Sequence, residues 1–223
     1  MKFFDDKSKN LKWWNKNYFY IGTIAIVLLN ILLYAFGGYD WEERIYPVDG
    51  GHHWGDVFYF RPTIRTFLNA FSHSTWQHVL LNMLCFAVVG LYLERKKGTL
   101  GIFLYVLIGA YFSGIAVVAN DMAINFHGSS GVNYFLYAIL IVDYFFSLRK
   151  ETKNKTNIIL GAVILAFTYL AMCFDDRTSS FSFRWYPYKL MTNLGHYSSF
   201  VVGLVLGLII QTTRALAAKG KIK

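Results

Sequence analysis

Residues 127–147 read HGSSGVNYFLYAILIVDYFFS. Two glycines and two serines, Gly128-Ser129-Ser130-Gly131, open a largely apolar and aromatic run that also carries Asp143. From residue 129 to 147 the run is long enough to cross a bilayer as a helix. The small residues at its mouth admit three readings. They pack closely, they let a backbone approach something, or they leave one hydroxyl bare for chemistry.

Working outward, five further segments have similar length and composition: 18–36, 76–93, 99–119, 157–174 and 194–213. The chain as a whole is 55% hydrophobic, 19% aromatic and only 16% charged, which places it among membrane proteins. The expected fold is therefore all-α, a polytopic bundle of six transmembrane helices.

The charges agree on one orientation. With the N-terminus in the cytoplasm, sixteen of the 22 basic residues fall in cytoplasmic pieces: Lys2 to Lys16, Arg95 to Lys97, Arg149 to Lys155 and Arg214 to Lys223. Eight of the 13 acidic residues fall outside. This is the positive-inside pattern, and it puts both termini in the cytoplasm. Trp13, Trp14, Trp41, Trp54, Trp76 and Trp185 lie near segment ends or in loops, where an aromatic belt sits. The first apolar run, about 19 residues, exceeds the core of a signal peptide, so a cleaved leader is not expected.

The expected organisation is a basic N-terminus (1–17), a single core (18–213) and a basic C-terminus (214–223). The core includes a long external loop, 37–75. Its stretch VFYFRPTIRTFLNAF, residues 57–71, reads as structure lying in the membrane interface. The net charge of +9 does not imply nucleic acid, because the basic residues sit in short blocks between apolar runs. Cys85 and Cys173 read as small buried hydrophobes, and their spacing fits neither a metal site nor a disulfide framework. His52-His53 lacks a third ligand at a convincing spacing, so no metal and no cofactor are expected.

Polar groups meet at one depth. In this topology the second, fourth and sixth helices enter from outside, and each begins with polar residues. The second opens with His78 and Asn82, four apart and on one face; the fourth opens with GSSG; the sixth carries His196 in its first turn. Each has an ordinary role available alone: Asn82 as glue between helices, His78 and His196 as interfacial residues, Ser130 as packing. Together they form a convergent set, and polar groups at membrane depth normally face the protein interior or a water-filled cavity. Gly195, Ser199, Gly203 and Gly207 make a smooth stripe on the sixth helix, which allows close approach to the fourth. Ser130 and His196 then come within reach as nucleophile and general base. Backbone N–H groups at the start of the fourth helix, the Asn82 amide and the His78 ring are candidate oxyanion donors. Asp143 lies 13 residues below Ser130, about 20 Å along a helix, too far to orient His196. A dyad is the better reading. Tyr134, one turn below Ser130, either packs against His196 or is ordinary aromatic core.

These residues resemble those of the rhomboid family of intramembrane serine proteases. The G-x-S-G motif is Gly128 to Gly131 with Ser130 as nucleophile, followed by Tyr134. The sixth-helix histidine is His196, followed by Ser199 and Gly203; the H-x-x-x-N pair is His78 and Asn82. The resemblance further implies that His73 is a structural residue of the first loop, and that Gly90, Glu94 and Gly98 form the turn after the second helix. It covers about residues 18–213. Ser199 stands where the family usually has glycine, and a hydroxyl there can bond back to its own helix. The Trp-Arg pair often found in the first loop is replaced by FRPTIRTFLNAF.

The resemblance implies hydrolysis of a peptide bond in or near the transmembrane segment of a single-span or multi-span membrane protein, close to the outer face of a bacterial plasma membrane. Phe167 and Tyr169 of the fifth helix would form a lateral gate. Two other classes compete. A catalytically inactive relative that binds membrane-protein clients would be expected to lack Ser130 or His196. A small transporter or channel subunit would favour inverted repeats and helices broken at the midplane. The oligomeric state is left open.

Overall fold

The computed structural model describes residues 20–38, 67–118, 128–150, 155–175, 180–181 and 194–220. The basic N-terminus, most of the first loop with His52-His53 and the FRPTIR stretch, and Trp185 lie outside the described residues. Among the described residues there are six α-helices: α1 (Ile21–Gly37), α2 (Trp76–Lys97), α3 (Thr99–Val118), α4 (Ser130–Lys150), α5 (Lys155–Cys173) and α6 (Leu194–Gly220). A short 3-10 helix, Asn69–Phe71, precedes α2. The strands β1 (Phe174–Asp175) and β2 (Ser180–Phe181) pair antiparallel after α5, with Phe174 opposite Phe181. The fold is an all-α bundle with helices close to the six apolar segments of the sequence. The largest difference is α6, which runs past residue 213 to Gly220.

α4 stands at the centre. Every residue from Gly131 to Leu140 is buried, as a helix with apolar residues on all sides requires. α6 is its most extensive neighbour, and α2, α3 and α5 also pack on it; α1 packs on α2 and α3. The close contact of α6 on α4 has a local cause. A Cβ on Gly203 would lie 2.5 Å from the Phe135 carbonyl oxygen and 2.9 Å from the Ala138 Cβ. A Cβ on Gly207 would meet the Val142 Cβ at 3.0 Å. Ser199 belongs to the same stripe and is fully buried. Its hydroxyl does not bond back to its own helix, as the sequence suggests, but donates across to the Gly109 carbonyl of α3 at 3.5 Å. The backbones are close enough there for the neighbouring helix to supply the acceptor.

At the end of the bundle where α1 begins, two buried carboxylates tie the helices together. Tyr20 precedes α1 with a left-handed φ of 53° and offers no side-chain cap. Glu94 of α2 caps α1 instead. Its carboxylate accepts the Gly22 N–H (2.9 Å), the Thr23 N–H (2.8 Å) and the Thr23 hydroxyl (2.6 Å). It also accepts the Thr99 hydroxyl of α3 at 2.6 Å. A carboxylate at unsatisfied helix N–H groups is favourable both as acceptor and as charge. Asp143 of α4 accepts from Lys96 (2.8 Å) and Lys97 (2.9 Å) of α2 and from Gln211 of α6 (2.7 Å).

The outer surface of the bundle is apolar. Leu28, Leu32, Leu80, Leu84, Leu104, Leu107, Val163, Val205 and Leu208 are all exposed. A surface of this kind on every peripheral helix suits lipid, not water. α2, α4 and α6 contain stretches long and apolar enough to cross a membrane, and α1, α3 and α5 are apolar helices as well. The protein is an integral membrane protein.

Candidate active site

The sequence starts α4 with an unusual backbone. Gly128 has φ 114°, a conformation that side chains strongly disfavour. It also has no room for one: a Cβ there would lie 2.8 Å from the His78 ring and 3.3 Å from the Asn82 Nδ2. The glycine therefore brings the chain against the polar face of α2. Ser129 follows, and its carbonyl accepts the Asn133 N–H at 2.9 Å as the first bond of the helix. The N–H groups of Ser130, Gly131 and Val132 come before that bond and have no acceptor within α4.

Ser130 is the first residue of α4 and is half-buried. Its Oγ lies 2.7 Å from the Nε2 of His196, in the first turn of α6. This is a short hydrogen bond, through which a proton can pass directly from hydroxyl to imidazole. The His196 ring is buried and stacks on Tyr134, with centroids 4.4 Å apart and planes 29° apart. Tyr134 is itself buried, and among the described residues its hydroxyl has no hydrogen-bond partner. Its contribution at His196 is the ring face.

His78 and Asn82 lie on the other side of Gly128. The α2 helix that carries them is opened by Thr75, whose hydroxyl accepts the His78 N–H at 3.1 Å. The His78 Nδ1 is 3.2 Å from the Ser74 hydroxyl, and its ring meets His73 edge-on at 5.1 Å. His73 is fully buried, and its Nε2 lies 3.4 Å from both the N–H and the hydroxyl of Ser129. It thus joins the segment before α2 to the mouth of α4. Gly131 completes the packing. A Cβ on it would collide with Ser113 of α3, so no larger residue fits beside the serine.

Ser130, His196, Tyr134, His78, Asn82, His73 and Gly128 thus gather at one end of α4. Glu94 and Asp143 lie apart from them, and Asp143 is held by Lys96, Lys97 and Gln211. Phe167 and Tyr169 are half-buried on α5, which packs on α2 and α4. One site residue escapes sequence reasoning. Asn133 is buried on α4, and its Nδ2 donates to the Asn82 backbone carbonyl at 3.0 Å and to the Asn82 Oδ1 at 3.1 Å. A lone amide in an apolar helix, three residues after Ser130, is the signal that could have marked it.

A family model, the Rhomboid domain, matches residues 61–213, well over half of the chain. The protein belongs to the rhomboid family. No curated protein matches it.

Proposed function

We propose that this protein is an intramembrane serine endopeptidase that cleaves membrane-protein substrates with a Ser130–His196 dyad. The observation that carries the reading is the 2.7 Å contact between the Ser130 Oγ and the His196 Nε2, with Tyr134 stacked on the imidazole. Neutral His196 takes the hydroxyl proton as Ser130 attacks the scissile carbonyl. The same imidazolium then returns a proton to the leaving amine. Water hydrolyses the resulting acyl-enzyme, again with His196 as base.

The oxyanion of each tetrahedral intermediate needs donors that are already in place. The Ser130 N–H, the Asn82 Nδ2 and the His78 ring are assigned that role. Gly128 and Gly131 let the His78 ring and Ser113 pack directly against the chain that carries the serine. Phe167 and Tyr169 on α5 are assigned to a lateral gate for the substrate helix. The basic segments between the apolar helices support a topology with both termini in the cytoplasm and the dyad toward the external face. A bacterial plasma membrane suits this arrangement.

The test uses purified protein in liposomes with a single-span substrate that carries small residues near its outer end, because an intact helix hides its carbonyls. Mass spectrometry of the products should place the cut near that end. Ser130→Ala and His196→Ala should each lower kcat on the order of 10⁴-fold or more. A folded wild-type protein that neither cleaves such substrates nor reacts at Ser130 with a fluorophosphonate would instead be a client-binding, inactive relative.

A further inference from the structure

The Asn82 amide has two ends, and only one of them is useful to an oxyanion. With Nδ2 toward the reacting carbonyl it donates; with Oδ1 there it repels. Nothing intrinsic to an asparagine side chain chooses between the two. We propose that Asn133 makes that choice, and is a positioning residue for the oxyanion site. The inference rests on the endopeptidase reading above.

One fixed acceptor sets the sense of both amides. The backbone carbonyl of Asn82 can only accept. The Asn133 group 3.0 Å from it must therefore be the amide nitrogen, which sets which way Asn133 points. That same nitrogen lies 3.1 Å from the side chain of Asn82, so the Asn82 atom facing it must be the acceptor, Oδ1. The Asn82 Nδ2 is then turned the other way. It lies beside Gly128, where an added Cβ would be 3.3 Å from it, two residues before the nucleophile. The polarity of a backbone carbonyl is thus relayed through two amides to the mouth of the site.

A second observation separates positioning from mere helix adhesion. Asn133 is 5% exposed, and its own Oδ1 has no hydrogen-bond partner among the described residues. A buried acceptor left unpaired is costly, and a half-satisfied amide holds two helices less well than an apolar side chain of the same shape would. Such a group is retained more readily for what its donor end does than for stability.

The test is a double-mutant cycle on kcat for cleavage, in the full-length protein, with thermal unfolding measured alongside. Asn133→Leu keeps the branched shape, at a larger volume, and removes the donor; Asn133→Ala replaces it if Leu proves too bulky to fold. Losing an oxyanion donor outright costs about 10²–10³-fold in kcat. Asn82→Ala is expected to fall in that range. Asn133→Leu, which only frees the amide to turn, should lose on the order of tenfold in kcat with KM unchanged. In the Asn82→Ala background the same substitution should change kcat less than about twofold, because no amide remains to orient. The inference is overturned if Asn133→Leu leaves kcat intact. It is overturned equally if its effect is as large without Asn82 as with it, which is the signature of adhesion. A wild-type protein that neither cleaves nor labels at Ser130 would defeat the endopeptidase reading itself, a result distinct from either.

Discussion

At the scale of single residues, the site depends on side chains whose polar atoms are used unequally. Tyr134 offers His196 a ring face, while its hydroxyl finds no partner among the described residues. Tyr134→Phe should therefore keep kcat within about threefold and leave stability unchanged or raised by up to about 1 kcal/mol, because a buried unpaired hydroxyl is lost. Tyr134→Ala removes the stack and opens a cavity, and should destabilise by about 3–5 kcal/mol. Steady-state cleavage and thermal unfolding in detergent distinguish the two variants. A Phe variant as damaged as the Ala variant would mean that the hydroxyl matters. Ser130 and His196 are legible in the sequence as candidates, because a serine between small residues and a histidine stand at the mouths of otherwise apolar helices. Asn133 was not. Its role depends on which atom of another residue it meets, and no spacing along one helix reveals that.

At the scale of elements, the Ser130–His196 distance is a property of the α4–α6 contact. Ser130 and His196 are 66 residues apart in the chain, and each is held by a different helix. Their approach is set by the small-residue stripe on α6. Gly203→Ala would place a methyl 2.5 Å from the Phe135 carbonyl oxygen, a backbone atom that cannot move aside alone. It should destabilise by about 1–3 kcal/mol, as overpacking does. A shift of about 1 Å at a catalytic pair can cost on the order of 10²-fold, so kcat should fall by at least tenfold. Gly207→Ala meets the Val142 side chain first, at 3.0 Å, and should be milder in both respects. Equal effects at the two positions would argue against the stripe as the spacer. The stripe was visible as a four-residue repeat. The partner helix of Ser199 was not, because a serine hydroxyl has acceptors both in its own helix and across the interface.

At the scale of the whole molecule, the candidate site and the buried charge cluster of Asp143 occupy opposite ends of α4. Asp143 joins α2, α4 and α6 at the far end of α4 from Ser130, about 20 Å away along the helix. The side chain of Lys97 is only 4% exposed there. Asp143→Ala would leave it without this counter-charge, and should cost about 3–5 kcal/mol of stability. Because the site lies at the other end, kcat per folded molecule should stay within about threefold. Pairing the change with Lys97→Met should recover much of the lost stability, since a buried pair replaced by apolar groups is often neutral. Thermal unfolding of the single and paired variants, with kcat corrected for folded fraction, checks both statements. A large loss of kcat in well-folded Asp143→Ala would mean that the two ends are coupled.

The sequence by itself determined that the chain is a bundle of membrane helices, because hydropathy and charge act locally and leave their record in order along the chain. It also determined the candidate nucleophile and base, because those are matters of residue type at helix mouths. Only the tertiary structure decided what each polar group faces. Glu94 caps the start of a helix more than 70 residues earlier in the chain, through its bonds to Gly22 and Thr23. Asn133 sets the sense of the Asn82 amide, and Ser199 bonds to α3. Hydrogen bonds are directional and reach about 3 Å, so their partners are chosen by how helices pack, and packing joins residues that the sequence keeps far apart.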